Sequence, residues 1–457
     1  MAPPRSAPAR GAPPRVQAGE AAATASSQAR QAASRSGFSS LEHSIFSPYH
    51  VQGRIGEGTY GVVYVATPRR KGAATPGETA ALPVAAPHTC TCAQGAQLPN
   101  RKLALKLLKP TKEYDGVSPT AVREVALLRE LDHPHVARLE AVHVDVADHV
   151  LCMVFEYCEF DLYELVRHHR ERLNKAAMCT YQVKSLVWQL LNGLEYLHSQ
   201  WVIHRDLKPS NVLVTSESAA GGGGVVKIAD FGLARIFQAP LRPLHDNGVV
   251  VTIWYRAPEL LLGSRHYTPA LDVWAVGCIF AELTALRPLF QGEEVKRSGS
   301  PFQKDQILKI CELLGAPTEA QWPALRHLPH WLADDEGIVG ATSEAAQAAS
   351  RKRRRDDSSA PPALATPNEP SPLLADAAII PRGSAAHRLL AAMLAFDPMQ
   401  RLSAQSALSD PYFTTLDPRP GRNALRPPDA DAHSRVAYPS RRVMDERGTQ
   451  PPPPPPR

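Results

Sequence analysis

Three short stretches of this chain carry side chains suited to moving phosphoryl groups. The octet His204-Arg205-Asp206-Leu207-Lys208-Pro209-Ser210-Asn211 sets a carboxylate, an ammonium and a carboxamide close together, and Asp230-Phe231-Gly232 adds a second carboxylate downstream. Carboxylate and carboxamide oxygens are ligands that Mg²⁺ accepts, and a carboxylate can also take a proton from an attacking hydroxyl. Upstream, Gly56-Glu57-Gly58-Thr59-Tyr60-Gly61-Val62-Val63 spaces its glycines as G-x-G-x-x-G. Glycines let backbone N–H groups approach a phosphate without a side chain in the way. Phosphoryl transfer asks for positioning and charge neutralisation rather than covalent help, and these residue types supply both. Taken singly each signal is weak. A lone G-x-G-x-x-G fits any tight turn, and a lone aspartate more often caps a helix or sits on the surface.

The elements that must position them are legible nearby. Extended apolar stretches, Tyr49 to Ile55 and Val62 to Ala66, flank the glycines, so the loop reads as a hairpin tip. Leu103-Ala104-Leu105-Lys106 reads as a third strand with its lysine inward. Over Ser118 to Leu131 the aliphatics recur at helical spacing, with Ser118 able to cap and Pro119 suited to the first helical position. That helix carries Glu124. Val154 to Cys158 leaves a last strand of this region. Leu162 to Arg170 reads as a helix whose His168, His169 and Arg170 form a solvated face. Val183 to His198 and Leu271 to Phe280 are strongly apolar helices, and Asp272 is buried by pattern. His387 to Phe396 reads as a further helix ahead of Arg401.

The octet matches H-R-D-L-x-x-x-N and the triplet matches D-F-G, so the chain resembles the protein kinases. That resemblance implies an α+β, bilobal fold, a small β-rich lobe and a large α-rich lobe with ATP and Mg²⁺ in the cleft. It implies that Asp206 accepts the hydroxyl proton, Lys208 steadies the transferred phosphate and Thr252 bonds near Asp206. Asn211 and Asp230 are the expected Mg²⁺ ligands. Ile55 and the loop Gly56, Glu57, Gly58, Thr59, Tyr60, Gly61, Val62 and Val63 would cover the nucleotide. Val63, Ala104 and Leu213 would sandwich adenine, and Glu156 to Cys158 would form the hinge that bonds it. Phe155 would guard the pocket behind that hinge. Lys106 would bind the α/β-phosphates and pair with Glu124. Leu128, Phe231 and His204 would stack between the lobes. Ala257-Pro258-Glu259 closes the activation segment, and a structural pair of Glu259 with Arg401 is implied. Asp272 would hold the catalytic-loop backbone near Arg205, cap its own helix, or do both.

Longer stretches narrow the likeness. Asp115 to Glu124, with its S-P-T-A-V-R-E, resembles the cyclin-contacting helix of cyclin-dependent kinases. Lys184 to Leu186, Ile236 to Leu241, Asp246 to Arg256, Pro288 to Gly292 and Leu328 to Trp331 look like the transcriptional branch, cyclin-dependent kinase 8 and the plant and algal E-type kinases. The likeness runs from about Tyr49 to about Ala424. It implies a C-type cyclin, other subunits of the Mediator kinase module, and protein substrates with Ser/Thr-Pro sites read around Val251 and Arg256. A domain acting sterically inside that assembly would carry the same residues. A mitogen-activated type would need a T-x-Y site, which Asp230 to Thr252 lacks, and a pseudokinase would usually lack Lys106, Asp206 or Asp230.

Composition frames the rest. The 457 residues hold 44% hydrophobic residues, 43 Pro and 28 Gly, so a kinase domain is expected with unstructured appendages. Residues 1–47 read as a disordered arm, with Glu20 the only acid before Glu42; the composition also resembles an organelle transit peptide. The small lobe spans 48–155 with an insertion at 67–100, where His88, Cys90 and Cys92 are too few for zinc. The large lobe spans 156–415 with a disordered insertion at 333–381, and 416–457 is a Pro-rich tail. Arg351-Lys352-Arg353-Arg354-Arg355 reads as a nuclear localisation signal. A net charge of +6 is too mild to argue for nucleic acid, and no apolar run is long enough for a membrane span. Seven scattered cysteines fit a reducing compartment.

One absence carries an expectation. The resemblance puts Arg123, Arg205 and Arg235 where relatives gather an activation-segment phosphothreonine. Yet Phe231 through Val251 contains no Ser, Thr or Tyr. Asp246 stands near the expected position, one charge in place of a phosphate's roughly −1.5 to −2. Phosphorylation there is expected to be dispensable, with the remaining order supplied by Asp246 and an acidic element of a third subunit.

Overall fold

The computed structural model of the chain describes residues 44–57, 61–69, 82–83, 101–108, 118–145, 150–216, 223–237, 252–266, 268–295, 302–332, 371–414, 423–425 and 436–444. The N-terminal arm to residue 43, most of both insertions, Gly58 to Tyr60, Asp246, Val251 and Arg351 to Arg355 lie outside the described residues.

Five strands build the small lobe: β1 (Tyr49–Glu57), β2 (Gly61–Pro68), β3 (Leu103–Leu108), β4 (Leu139–Asp145) and β5 (Val150–Glu156). They pair antiparallel in the order β1-β2-β3-β5-β4, and a two-residue strand, Leu82–Pro83, adds to β4. Successive side chains of a strand point to opposite faces. In β3 this leaves Leu103, Leu105 and Leu107 buried while Ala104, Lys106 and Leu108 are half-buried. The buried row packs with Tyr64, Val154, Ile45 and Phe46. Ile45 and Phe46 are a correction, because the disordered arm was expected to run through residue 47. Both are buried, and Phe46 meets the Tyr64 ring edge-on at 5.7 Å. Two adjacent apolar side chains just ahead of β1 cover the outer sheet face.

Helix α1 (Pro119–Glu130) forms as its residues dictate. Ser118 Oγ accepts from the Ala121 N–H at 3.2 Å, and Pro119 takes the first position. Glu124 is buried on one side of this helix, and Val122 is 56% exposed on the other.

In the large lobe, α2 (Leu162–Glu171) and α3 (Thr180–Ser199) precede α4 (Ala270–Ala285). Apolar residues ring α4 on all sides, so it is buried throughout. Short strands β6 (Phe160–Asp161), β7 (Val202–Ile203), β8 (Val212–Val214), β9 (Val226–Ile228) and β10 (Arg235–Ile236) edge the cleft, ordered β9-β8-β6 and β10-β7. Arg401 donates to both Glu259 oxygens, at 2.8 and 2.9 Å, as the resemblance implied, and lies over Trp274.

Two further expectations change. The second insertion ends before Ser371 and not at 381. Pro372–Ala377 is helical with Leu374 and Ala375 buried, and Ser371 Oγ donates to the Leu313 carbonyl at 2.8 Å. On α2, His169 does not belong to a solvated face. It is 1% exposed, with Nδ1 2.8 Å from the Ala176 carbonyl and Nε2 2.8 Å from the Tyr438 hydroxyl. Helical period sets His169 on the same face as Leu162, Leu165 and Val166, all buried, and a remote segment of chain supplies its partner Tyr438.

Candidate active site

The loop between β7 and β8 carries the octet, and Asp272 in the first turn of α4 holds its backbone. The Asp272 carboxylate accepts from the His204 N–H and the Arg205 N–H, each at 2.8 Å, and faces His198 Nε2 at 3.1 Å. Arg205 sits at φ +70°, a left-handed conformation that a side-chain-bearing residue adopts only when held there. Of the two roles weighed for Asp272, the loop anchor is the one formed. Asp272→Ala would leave two amide donors without an acceptor in a buried site, a loss of about 3 kcal/mol. Thermal unfolding should drop by roughly 5–10 °C, and turnover should fall further than the lost folded fraction explains.

Asp206 projects from this anchored loop. Its Oδ2 accepts from Lys208 Nζ at 2.9 Å and from Asn211 Nδ2 at 3.0 Å. The same Asn211 nitrogen donates to the Asp206 carbonyl at 2.8 Å, which leaves the Asn211 amide oxygen for a cation. Across the cleft Lys106 Nζ donates to Glu124 Oε1 at 2.7 Å and to Asp230 Oδ1 at 3.0 Å. The Lys106–Glu124 pair that the resemblance implied is therefore closed. Burial works against the Lys106 charge, but its two carboxylate neighbours outweigh it and hold the ammonium above the ordinary lysine range.

The two catalytic-cleft aspartates are pushed apart. Burial raises the Asp206 carboxyl, with Lys208 only partly offsetting it. Burial would raise Asp230 as well, but the charge and hydrogen bond of Lys106 bring it below the usual carboxylate range. Carboxylates driven in opposite directions divide the labour of acid–base chemistry. Asp206 suits proton acceptance; Asp230 stays ionised and suits a metal.

The walls are apolar. Val63, Ala104 and Leu213 are half-buried, while their strand neighbours Tyr64, Leu105, Val212 and Val214 are buried, so each strand turns one side chain to the cleft. Pairing sets Val63 beside Lys106, and Ala104 beside Phe155. The Glu156 side chain is occupied by Lys227 at 2.7 Å and the Arg138 N–H at 2.9 Å, so only its backbone is offered to a base. Cys158, two residues further on, is buried. His204 meets Phe231 edge-on at 5.0 Å, and Leu128 belongs to the same buried cluster, as the interlobe stack requires. Thr252 lines one small cavity with Arg205 and Asp206. No hydrogen bond of Thr252 to Asp206 itself is formed among the described residues; Asp206 uses Lys208 and Asn211.

The glycines divide by physical reason. A Cβ on Gly61 would collide with the Leu107 carbonyl, so strand packing alone demands glycine there. Nothing among the described residues stands within 4 Å of a Cβ on Gly56, so packing does not demand glycine there. Ile55 and Glu57 flank it in β1, Ile55 half-buried and Glu57 exposed. Gly58, Thr59 and Tyr60 lie outside the described residues.

The residues fit ATP with Mg²⁺. Asp230 and Asn211 supply only part of a metal shell, and no group of three His, Cys, Asp or Glu among the described residues cages an ion by itself. Mg²⁺ is commonly held in this way, with one or two protein oxygens and the rest from phosphate and water. A metal held there would supply charge neutralisation for the phosphates, and the arrangement would let Lys106 orient them and Asp206 hold the acceptor hydroxyl and take its proton.

Sequence reading missed Lys227 and Arg441 beside the hinge. Arg441 donates through its backbone to Glu159 at 3.0 Å and through its guanidinium to Asp161 at 2.8 Å. No local pattern marks either residue, since both partners are distant in sequence.

Comparison with known proteins agrees with this geometry. The family described as Protein kinase domain matches residues 89–413. Cyclin-dependent kinase E-1 of Arabidopsis thaliana is 48% identical over 395 residues, covering 86% of this chain and 72% of the relative. Probable cyclin-dependent kinase 8 of Dictyostelium discoideum is 42% identical over 86% of both chains. Serine/threonine-protein kinase ssn3 of Aspergillus fumigatus is 41% identical over 81% of this chain and 78% of its own length.

Proposed function

Because the chain belongs to the protein kinase family, as a cyclin-dependent serine/threonine kinase of the cyclin-dependent kinase 8 group, we propose that it serves transcription as the catalytic subunit of the Mediator kinase module. In this reading a C-type cyclin is its activator, Ser/Thr-Pro proteins of the RNA polymerase II machinery are its substrates, and the nucleus is its compartment.

The observation that carries it is the make-up of α1. Glu124, 3% exposed, holds Lys106, while Val122 on the same helix presents an apolar side chain to solvent at 56%. A partner that covers Val122 would press the helix inward and keep the Lys106–Glu124 pair closed. Arg205 and Arg235 donate to the carbonyls of Leu233 and Ala234, bracing the start of the activation segment. That segment offers no phosphate acceptor, so the same proposal includes activation without an activating kinase. Nuclear residence is supported by the basic run Arg351 to Arg355.

One fluorescent-tagged chain tests all of this. Purified from its own cells it should bring down a C-type cyclin and Mediator subunits. Made in bacteria with that cyclin it should phosphorylate Ser-Pro peptides, and phosphatase should leave the activity untouched. In cells it should be nuclear and should spread when Arg351 to Arg355 become alanine. A fully active monomer, recovery with a mitotic-type cyclin, or strict need for an activating kinase would sink the proposal.

A further inference from the structure

Residues 436–444, inside the Pro-rich tail, are docked on the rest of the chain. They cross from the large lobe to the small lobe along the hinge side of the cleft, with contacts at both ends and in the middle. At the large lobe, the Tyr438 hydroxyl lies 2.8 Å from His169 Nε2 on α2 and accepts from Gln182 Nε2 of α3 at 3.3 Å. Its ring packs against Phe160 and His168, with centroids at 5.8 and 5.5 Å. Midway, Arg441 bonds Glu159 and Asp161, the residues that join the hinge to α2. At the far end, the Arg54 N–H donates to the Met444 carbonyl at 2.9 Å and the Met444 N–H donates back at 2.8 Å.

That last pairing extends the small-lobe sheet. β1 is its edge strand, and an unpaired edge is an open template for added backbone. Gly53 makes room for the crossing. A Cβ there would stand 2.5 Å from Val443 Cγ1 and 2.6 Å from the Met444 carbonyl oxygen, and φ is +152°. The same strand runs on through Ile55 to Gly56, the start of the nucleotide loop.

We propose that residues 436–444 are a positioning strap that ties β1 to the α2 platform and holds the glycine-rich strand over the nucleotide. The strap is a second connection between the lobes beside the hinge. It favours the closed arrangement of the cleft, so nucleotide binds to a state that is already populated. Without it the competent fraction falls, and apparent affinity falls by the same factor. Arg441, Tyr438 and Met444 act through β1 and α2. The inference rests on the kinase reading of the cleft and not on the identity of the cyclin.

Two variants at opposite ends of the strap test it on the full chain. Met444→Pro removes the donor that pairs with Arg54, and Arg441→Ala removes the link to Asp161. Each should weaken binding of ATP·Mg²⁺, read by calorimetry, roughly three- to tenfold. KM for ATP should rise in step, with kcat and KM for the protein substrate within about twofold of the parent. Amide exchange at Arg54 should accelerate in both, and Arg441→Lys should restore most of the affinity. Unchanged ATP affinity in both variants would overturn the strap. So would a loss confined to Arg441→Ala, which would mean a direct ligand contact, or a fall in kcat with both KM values unchanged, which would mean a smaller folded fraction. A parent chain that binds no ATP would defeat the kinase reading instead.

Discussion

Asp206→Asn should abolish most phosphoryl transfer, lowering kcat by roughly 10²–10⁴, the usual contribution of a positioned general base. The geometry makes the substitution clean. An asparagine oxygen can still accept from Lys208 and Asn211, which now bond Asp206 at 2.9 and 3.0 Å. The loop backbone is held independently by Asp272. What the amide cannot do is take a proton. Burial raises the Asp206 carboxyl toward that task, and the variant removes it without removing bulk. Thermal unfolding and cyclin binding should therefore match the parent. A variant that phosphorylates substrate near the parental rate would show that another group accepts the proton.

Lys106→Met should be nearly as severe in rate and worse in stability. Among the described residues Lys106 is the one cation bonded to both Glu124 and Asp230. Its loss removes a fixed charge from the phosphate site, a change that commonly lowers kcat about 10²–10³. It also leaves Glu124, with its side chain 3% exposed, as a buried carboxylate without its partner. Removing one member of a buried pair typically costs about 3–5 kcal/mol. The two effects can be separated by the double variant Lys106→Met with Glu124→Leu. Apolar replacement of both partners should recover much of the stability and none of the activity. If the double variant melts no higher than Lys106→Met, burial of an unpaired charge is not the cause. If it regains activity, the lysine is not the phosphate anchor.

The chemistry was legible in the sequence because its residues lie in short contiguous runs. His204 to Asn211 and Asp230 to Gly232 match known motifs residue by residue, so their chemistry could be read by resemblance, although the loop takes its shape only when Asp272 holds it. The start of α1 was legible from the residues themselves, since Ser118 and Pro119 act within one turn of where they stand. Asp272 was legible as buried, but its partner was implied only by resemblance, and two roles stayed open until the loop was seen bonded to it.

Tertiary structure decided what periodicity cannot address. Helical period alone sets His169 on the inner face with Leu162, Leu165 and Val166, but nothing local tells that Tyr438, far along the chain, meets its imidazole there. Ile45, Phe46 and the helix Pro372–Ala377 looked like the ends of polar, low-complexity segments and proved to be parts of the cores. Period-2 and period-3.6 patterns report which face of a strand or helix a residue occupies. They do not report which distant segment will cover that face. Arg54 with Met444, and Asp161 with Arg441, are choices made between surfaces far apart in the chain, set by an open strand edge, a glycine that leaves room and a carboxylate within reach of a guanidinium. Such partners become definite only once the two lobes exist to be spanned.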